Sequence, residues 1–310
     1  MKTLKSNWES EKPVPDDGQL KEQWEAELKI LRASIAQEDQ SSKRKMANRE
    51  PLIKVSKFDP DAQAKESKRI SKESFRRAEA MIAKPPMDIE ALHNKDLDLA
   101  KSIARLKEGP GNPSWWGYIW SAGYGGSWSS CNGESEEVPS VTFTTLNNRF
   151  DPRTQAWGEG WFDGDYSELH GYLAFTFNPP SWGHLHLYVY PWFHGYYSLY
   201  SDDEWYNSEY ARAEVDSWLD LHQNFWRGRS YIRRFTLAGD EIHPTRYGRF
   251  DTNYSHYYFT DVGQGDLTTI RVGIRIYSYA RASGSHSILN FQAGTGNYIL
   301  VPYVYWYLHH

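Results

Sequence analysis

The period of the hydrophobic pattern changes near residue 111, and this change constrains the fold more than any other feature of the chain. Before it, apolar residues recur every three or four positions, as in amphipathic helices. After it, apolar and polar residues alternate, as in half-buried strands. Residue types change at the same place, since the last lysine is Lys107 and all 22 tyrosines follow residue 117. We therefore predict two regions, 1–110 and 111–310.

Region 1–110 is predicted to be a charged α-helical arm. Its clearest apolar stripe runs from Leu20 to Ile35, and the polar segment 40–49 is expected to end that helix. A second helix is expected over Ala62–Lys84, and a third is expected to begin after Asp88.

The apolar stripes of these helices are too thin to stabilise them in isolation. Two interpretations of the arm follow. It is a partly disordered, solvated leader, or it is a coiled-coil-like segment that oligomerises the protein or anchors it to a larger particle. We favour the second interpretation and expect self-association through the arm.

Region 111–310 is predicted to be an all-β module, an antiparallel β-sandwich or jelly roll of about nine strands. Turn-rich stretches such as Asn178-Pro-Pro separate the alternating runs. Pro191 and Pro302 interrupt two runs and predict edge strands or bulges there. The predicted strands cover 141–145, 172–177, 184–197, 211–222, 231–237, 254–260, 269–282, 287–292 and 300–309.

One parity of these strands is aliphatic and is predicted to form the core. The other parity is rich in tyrosine, tryptophan, histidine and arginine, and it is a candidate ligand face because such rings can stack on a ligand while their polar atoms stay hydrated. Sugars, flat hydrophobic ligands and protein partners all fit this chemistry. The alternative is that the rings only stabilise the sheet through cross-strand pairs. The candidate ligand-binding residues are His184, His186, Tyr188, Tyr190, Trp192, Arg271, Arg275, Tyr303, Tyr305 and Tyr307.

Two patterns suggest metal ligands. Asp163, Asp165 and Glu168 lie in a glycine-bearing acidic loop and could supply oxygen ligands to Ca²⁺, although the helix-loop-helix calcium pattern is missing. His184 and His186 share a strand face, which also suits a metal, but a surface histidine pair is the simpler interpretation.

The sequence contains no nucleophile elbow, phosphate-binding loop or dinucleotide fingerprint. Glycoside hydrolysis needs two carboxyl groups about 5–10 Å apart in a cleft, and the alternation pattern brings no pair together. The available carboxylates for such a reaction are Glu159, Asp163, Glu214 and Asp216. Cys131 lies in a turn-like acidic context that does not favour a reactive thiolate. We therefore expect a protein that is not an enzyme.

Charge and hydropathy exclude further classes. The first region carries a net charge of +3 and the second −8, which together give the −5 of the chain, so neither has the basic excess of a nucleic-acid-binding protein. No apolar stretch reaches the roughly 18–20 residues of a transmembrane helix. The first residues lack the apolar segment of a secretory signal peptide. We expect cytoplasmic synthesis, with any release or particle association following another route.

The leading hypothesis is a recognition or structural protein. Its β-module would present an aromatic face to a glycan or a protein partner, and its arm would oligomerise or anchor it. One alternative is a toxin-like or particle-associated component that assembles or meets a membrane. A second alternative is a carbohydrate-active enzyme.

Overall fold

The computed structural model describes residues 17–47, 59–82, 91, 94–95, 98–99, 101–102, 115–132, 139–145, 147–160, 163–202, 208–292 and 297–309. Within these ranges the chain forms two long helices followed by fifteen strands. The predicted fold class, a helical arm before an antiparallel all-β sandwich, is confirmed. None of the helices in these ranges has both the length and the hydropathy needed to span a membrane.

Helix α1 spans Asp17–Ala47 and helix α2 spans Pro60–Ile82. The predicted end of the first helix at residue 40 is wrong, because the polar segment that follows lacks glycine and proline and its residues cost little in a helix. Helix α2 begins with a capping hydrogen bond of 3.2 Å from the Ala62 N–H to Asp59 Oδ1. The third predicted helix lies almost wholly outside the described residues.

The strands are β1 (Trp115–Ile119), β2 (Tyr124–Cys131), β3 (Ser140–Thr144), β4 (Arg149–Trp157), β5 (Gly164–Phe177), β6 (Gly183–Val189), β7 (Trp192–Asp202), β8 (Tyr210–Gln223), β9 (Phe225–Gly239), β10 (Glu241–Asn253), β11 (His256–Val262), β12 (Thr268–Arg281), β13 (His286–Asn290), β14 (Tyr298–Leu300) and β15 (Val304–His309). All nine predicted runs contain strands. The prediction missed β1, β2, β4 and β10. Glycines in β1 and β2 and Pro244 in β10 weaken the local strand signal.

The strands form three antiparallel sheets. Sheet A has the order β1-β15-β6-β11, and sheet B has the order β2-β5-β12-β8-β9. In sheet C, β10 pairs with β7, β13 and β14 both lie between β7 and β4, and β3 pairs with β4. Sheets A and C share one layer, since β6 continues into β7 and β14 continues into β15.

Pro191 and Pro302 lie where the chain passes between sheets A and C. The prediction that these prolines mark edge strands is therefore wrong, because β6, β7 and β15 each pair with a strand on both sides. Proline donates no ladder hydrogen bond, so pairing stops there and the layer can change direction.

One hydrophobic core lies between sheet B and the layer made by sheets A and C, and this arrangement is a β-sandwich. The predicted aliphatic parity supplies it, as in Leu185, Leu187 and Val189 of β6, which are completely buried. Sheet B contributes Leu169, Leu173, Phe175, Val215, Leu219, Leu221, Ile270, Val272, Ile274 and Ile276.

The two helices pack on the outward faces of the sandwich. On sheet B, Ile35 of α1 is buried against Tyr166 and Tyr279, and Arg32 donates a 3.3 Å hydrogen bond from Nε to Tyr166 Oη. On sheet C, Phe75 and Ile82 of α2 are buried against Tyr196 and Ile288. Of the three outward sheet faces, the one on sheet A carries neither of these helices.

Candidate ligand-binding face

The outward face of sheet A is a ring-lined surface, which we call the aromatic platform. Cross-strand pairing aligns its residues into rows. One row is Trp116–Tyr307–His186–Phe259 and the next is Tyr118–Tyr305–Tyr188–Tyr257. A third row, His309–His184–Asp261, closes one end. These positions follow from the two-residue period, since the intervening residues of β6, β11 and β15 face the core.

The rings in the middle of the aromatic platform cover each other. His186 and Tyr307 have centroids 4.3 Å apart and planes inclined by only 5°, so their faces overlap. Tyr188 and Tyr257 are 4.8 Å apart. Rings in such contacts cannot offer both faces to a ligand.

Open ring area is concentrated on β11, the edge strand of sheet A. Phe259 is 59% exposed and Tyr257 is 40% exposed. Trp115 of β1 is also 44% exposed, but it pairs with the core residue Leu308 and therefore lies on the other face of the sheet. The β11 edge of the platform is the place where a ligand can meet a ring face.

The polar atoms of the aromatic platform are mostly uncharged. Burial, followed by the nearby His309 and His184, lowers the pKa of His186, so its imidazole is neutral at pH 7. Burial and a hydrogen bond with Tyr188 raise the pKa of Tyr307 to about 12. His186 Nδ1 shares a 2.7 Å hydrogen bond with the Tyr257 hydroxyl. The charged exception is Asp261, which pairs with His184 at the end of the platform.

Two of the predicted ligand residues lie at the bend beside the platform. Tyr303 is 2% exposed and forms a cluster with Tyr118, Tyr190 and Tyr305. Burial raises its pKa to about 12. Its prediction as a ligand contact is therefore corrected, because the ring packs inside the bend. Tyr190 is half-buried in the same cluster.

Three other predicted ligand residues are on different sheets. Arg271 and Arg275 belong to β12 in sheet B, on the face that carries α1, and both are buried. Arg271 donates from Nε to Asp220 Oδ1 at 2.8 Å. Trp192 lies on sheet C, where it stacks on His194 at 6.3 Å. The structure corrects the prediction that these residues share one surface with the tyrosines, because equal alternation occurs on sheets that face different ways.

Arg275 is the centre of a buried ion-pair network. Its Nη1 lies 2.9 Å from Glu214 Oε2 and 2.9 Å from Asp216 Oδ2, and its Nε donates to Glu168. Burial alone would raise the pKa of Glu168, but Arg275 and His170 outweigh it and lower that pKa to about 2. The pKa of Glu214 is lowered in the same way, with burial opposed mainly by Arg275.

Neither metal pattern gathers three ligand side chains among the described residues. Asp165 and Glu168 of β5 are buried and differ in parity, so they point to opposite faces of the strand, whereas Asp163 is exposed beside Lys43 at 3.8 Å. The predicted Ca²⁺ site at these residues is thus corrected. His184 and His186 share one face of β6, whereas the next histidine of the same parity, His194, lies on sheet C and pairs with Asp251. Across the described ranges, no three His, Cys, Asp or Glu side chains converge in a way that could hold a metal ion.

The four carboxylates considered for hydrolysis are all in ion pairs. Glu159 lies 3.4 Å from Lys68 of α2, and Asp163 pairs with Lys43 of α1. Glu214 and Asp216 do lie close together, since both contact one Arg275 nitrogen. A general acid, however, needs a raised pKa. The pKa of Glu214 is lowered, so this carboxyl group does not suit that role.

Sequence reasoning missed half of the aromatic platform. It did not assign Trp116, Tyr118, Tyr257 or Phe259 to the site, nor the polar end residues His309 and Asp261. The signal for β11 was present, because Tyr257 and Phe259 alternate with core residues in a run that was already predicted as a strand. Strand β1 carried no comparable signal, since Gly117 and neighbouring tryptophans obscure its alternation.

Comparison with known proteins gives little further guidance. No protein-family model and no curated protein matches the sequence. Among solved structures, a carbohydrate-binding module from Cellvibrio mixtus lichenase 5A, in complex with cellotriose, is 12% identical, with 63% of this chain and 98% of that one covered at a TM-score of 0.21. A family 35 carbohydrate-binding module from Clostridium thermocellum is 12% identical, with 56% and 100% covered at 0.19. TmCBM61, in complex with beta-1,4-galactotriose, is 7% identical, with 58% and 88% covered at 0.18.

Proposed function

We propose that the aromatic platform of sheet A binds an uncharged glycan. The observation that carries this proposal is that neither described helix covers the outward face of sheet A, whereas the outward faces of sheets B and C carry α1 and α2. A contiguous exposed aromatic surface favours aggregation of a protein in water unless a ligand or partner covers it.

The chemistry of the platform suits sugars. Exposed ring faces at Phe259 and Tyr257 offer apolar contact to the C–H faces of a sugar ring. Neutral imidazole and phenol groups offer hydrogen bonds to hydroxyl groups, and the lowered pKa of His186 keeps its imidazole uncharged. Among the described residues of the platform, a charged ligand would find a counterion only at the end row, where His184 and Asp261 already pair.

The dimensions suit a short chain of sugars. Four strands spaced by about 4.8 Å make a surface about 14 Å wide between its outer strands, and successive rows are about 6.7 Å apart. A single monosaccharide would cover only part of that surface. We therefore expect an oligosaccharide that contacts at least the β11 edge.

Calorimetric titration of the full chain against neutral and acidic oligosaccharides tests the proposal. We expect saturable binding of at least one neutral ligand and about a tenfold rise in Kd for Phe259→Ala, which corresponds to ~1.4 kcal/mol. Tyr247→Ala is the matched control, because Tyr247 is 42% exposed but lies on β10 in sheet C. Equal affinity of both variants, or silence across the panel, would contradict the proposal.

We further propose that the arm supports self-association through the exposed flank of α2 that carries Ile70 and Met81. Ile70 and Met81 are 43% and 70% exposed. Their separation is close to three helical turns, so they lie on the same side of the helix. Removing the arm is a poor test, because α1 and α2 bury residues of the sandwich. Light scattering of the full chain should instead compare the wild type with the double variant Ile70→Glu, Met81→Glu, and Arg76→Glu on the same helix is the control. A monomeric wild type would overturn this role of the arm.

A further inference from the structure

Three loops meet at one end of the sandwich, and each carries a large exposed apolar side chain. Trp182 ends the connection from β5 to β6 and is 66% exposed, Phe225 follows the turn after β8 and is 54% exposed, and Leu267 precedes β12 and is 58% exposed. We call these three residues the apolar tip. They lie outside the aromatic platform and play no part in the proposed glycan site.

Gln223 holds two of the loops together. Its amide nitrogen donates to the carbonyl oxygen of Gly263 at 3.0 Å and to Thr268 Oγ1 at 2.9 Å, and its amide oxygen accepts from the Gly263 N–H at 2.6 Å. Gln223 itself is completely buried. Asn224 adds a 2.8 Å hydrogen bond from Nδ2 to Asp266 Oδ2.

The third loop is attached by backbone contacts. The Gly265 N–H donates to the Pro179 carbonyl at 2.8 Å, and Gln264 Nε2 donates to the Pro180 carbonyl at 3.1 Å. Gly265 has a φ of +78°, a conformation that suits glycine and permits this tight turn. The three side chains are therefore displayed on a preorganised base, and exposing them requires no rearrangement.

The charges beside the apolar tip indicate what kind of partner it fits. The Arg227 guanidinium lies 3.9 Å from the centroid of the Phe225 ring, and Asp266 is the nearby acid. Region 111–310 contains no lysine. An anionic surface would need a cluster of free basic residues, as polybasic lipid-binding segments have, and the tip offers no such cluster among its described residues.

We propose that the apolar tip inserts into the interfacial layer of an uncharged phospholipid bilayer. Tryptophan favours the boundary between headgroups and acyl chains, while phenylalanine and leucine gain by burial in the apolar layer below it. The three side chains project separately from three loops and do not form one flat surface. This arrangement suits insertion into a deformable bilayer better than contact with a flat protein surface. Strands β6 and β11 run from this tip, since Gly183 pairs with Val262, so docking leaves the platform beside the membrane surface.

Co-sedimentation of the full chain with phosphatidylcholine vesicles tests this proposal. We expect binding that is insensitive to salt, and a fall of about tenfold or more in the partition coefficient for the triple variant Trp182→Ser, Phe225→Ser, Leu267→Ser, because most of the inserted apolar area is lost. The matched control is Tyr247→Ser with Ile30→Ser, which removes two exposed apolar side chains on sheet C and α1. Far-ultraviolet circular dichroism confirms that each variant is folded.

A second measurement locates the contact. Brominated phosphatidylcholine should quench tryptophan fluorescence of the wild type, and Trp182→Phe should bind vesicles while losing most of that quenching. No binding to phosphatidylcholine, binding that needs anionic lipid and disappears in salt, or unchanged binding of the triple variant would each overturn the proposal. So would a triple variant whose main change is the loss of a dimer, because that result would make a second copy of the chain the occupant.

Discussion

The outward faces of sheets A and B have similar sequence patterns but differ in how far their aromatic rings are exposed. Both alternate aromatic and polar residues against an aliphatic core. On sheet A the rings remain open, with Phe259 59% exposed. On sheet B, Tyr172 and Trp218 are completely or almost completely buried, and α1 contacts the same face through Ile35.

Charge distinguishes the two faces. Cross-strand register in sheet B places Arg271 opposite Asp220 and Arg275 opposite Asp216, so opposite charges neutralise each other inside the sheet. The two aromatic rows of the platform contain no arginine and no carboxylate. A face that satisfies its own charges can be buried, because an unpaired buried charge costs several kcal/mol. The open face instead keeps neutral groups that remain available to a ligand.

The largest expected effect comes from breaking the charge balance of sheet B. Arg275→Ala would leave Glu168, Glu214 and Asp216 without their common partner, and we expect a loss of about 3–5 kcal/mol in the free energy of unfolding. Arg246→Ala on β10 is the matched control, since that residue is exposed. Urea denaturation measures both. A loss below about 1 kcal/mol would show that the network is not essential to this face.

A comparison of equivalent rings on the two faces should give the next largest difference. Tyr172→Ala removes a ring that packs on Trp128 and Trp218, and we expect a loss of about 3–5 kcal/mol, at the lower end for a phenol. Tyr188→Ala removes a half-exposed ring of the platform and should cost about 1 kcal/mol. Equal losses in chemical denaturation would contradict the contrast between a covered and an open face.

Acid should act on the buried histidines more than on the open platform. His286 lies between Ser71 of α2 and Ser198, and burial lowers its pKa to about 3. Because the unfolded state binds a proton below about pH 6.5 and the folded state does not, stability is present above that pH and is lost on acidification. By pH 4.5 the loss is on the order of 3 kcal/mol.

The histidine prediction is checked by denaturation at several pH values. His286→Asn should flatten the dependence between pH 6.5 and 4.5, and His186→Asn on the half-exposed platform should change it far less. His256, whose pKa burial and Arg234 lower to about 4, acts in the same direction. An unchanged slope in His286→Asn would assign the effect to other groups.

The smallest effect in this series concerns the packing of α1 on sheet B. Ile35→Ala should cost about 2 kcal/mol, since the side chain is 7% exposed. Ile30→Ala, five residues earlier on the same helix and 71% exposed, should change stability by less than about 0.5 kcal/mol. Hydrogen exchange of β5 and β12 should rise in the first variant alone. Equal behaviour would mean that this contact does not hold α1 in place.

Much of the fold was predictable because local rules govern it. Alternation in β6, β8 and β12 assigned their core residues correctly, since adjacent side chains of a strand must point to opposite faces. The stripe from Leu20 to Ile35 predicted α1 but not its end, because polar residues extend a helix at little cost. Strands β1, β2 and β10 were missed because glycine or proline weakened their local signal while pairing partners far along the chain stabilise them.

The candidate site was only partly predictable. His184, His186, Tyr188, Tyr305 and Tyr307 were assigned correctly to one face, but Arg271 and Arg275 were grouped with them. Parity says which residues share a side of one strand, and it carries no information about which sheet that strand joins. Phe259 and Tyr257 were missed for the same reason, because β11 reaches the platform through pairing with β6.

The sequence by itself determined the change of period near residue 111, the all-β module, and the division of each strand into aliphatic and aromatic sides. These follow from local geometry, which a few neighbouring residues specify. Only the tertiary structure decided that sheets A and C meet at Pro191 and Pro302, that α1 and α2 contact two of the three outward faces, and that the aromatic platform stays open. Strand pairing and helix packing join residues far apart in the chain, and their choice depends on charge and shape matching that only the folded molecule contains.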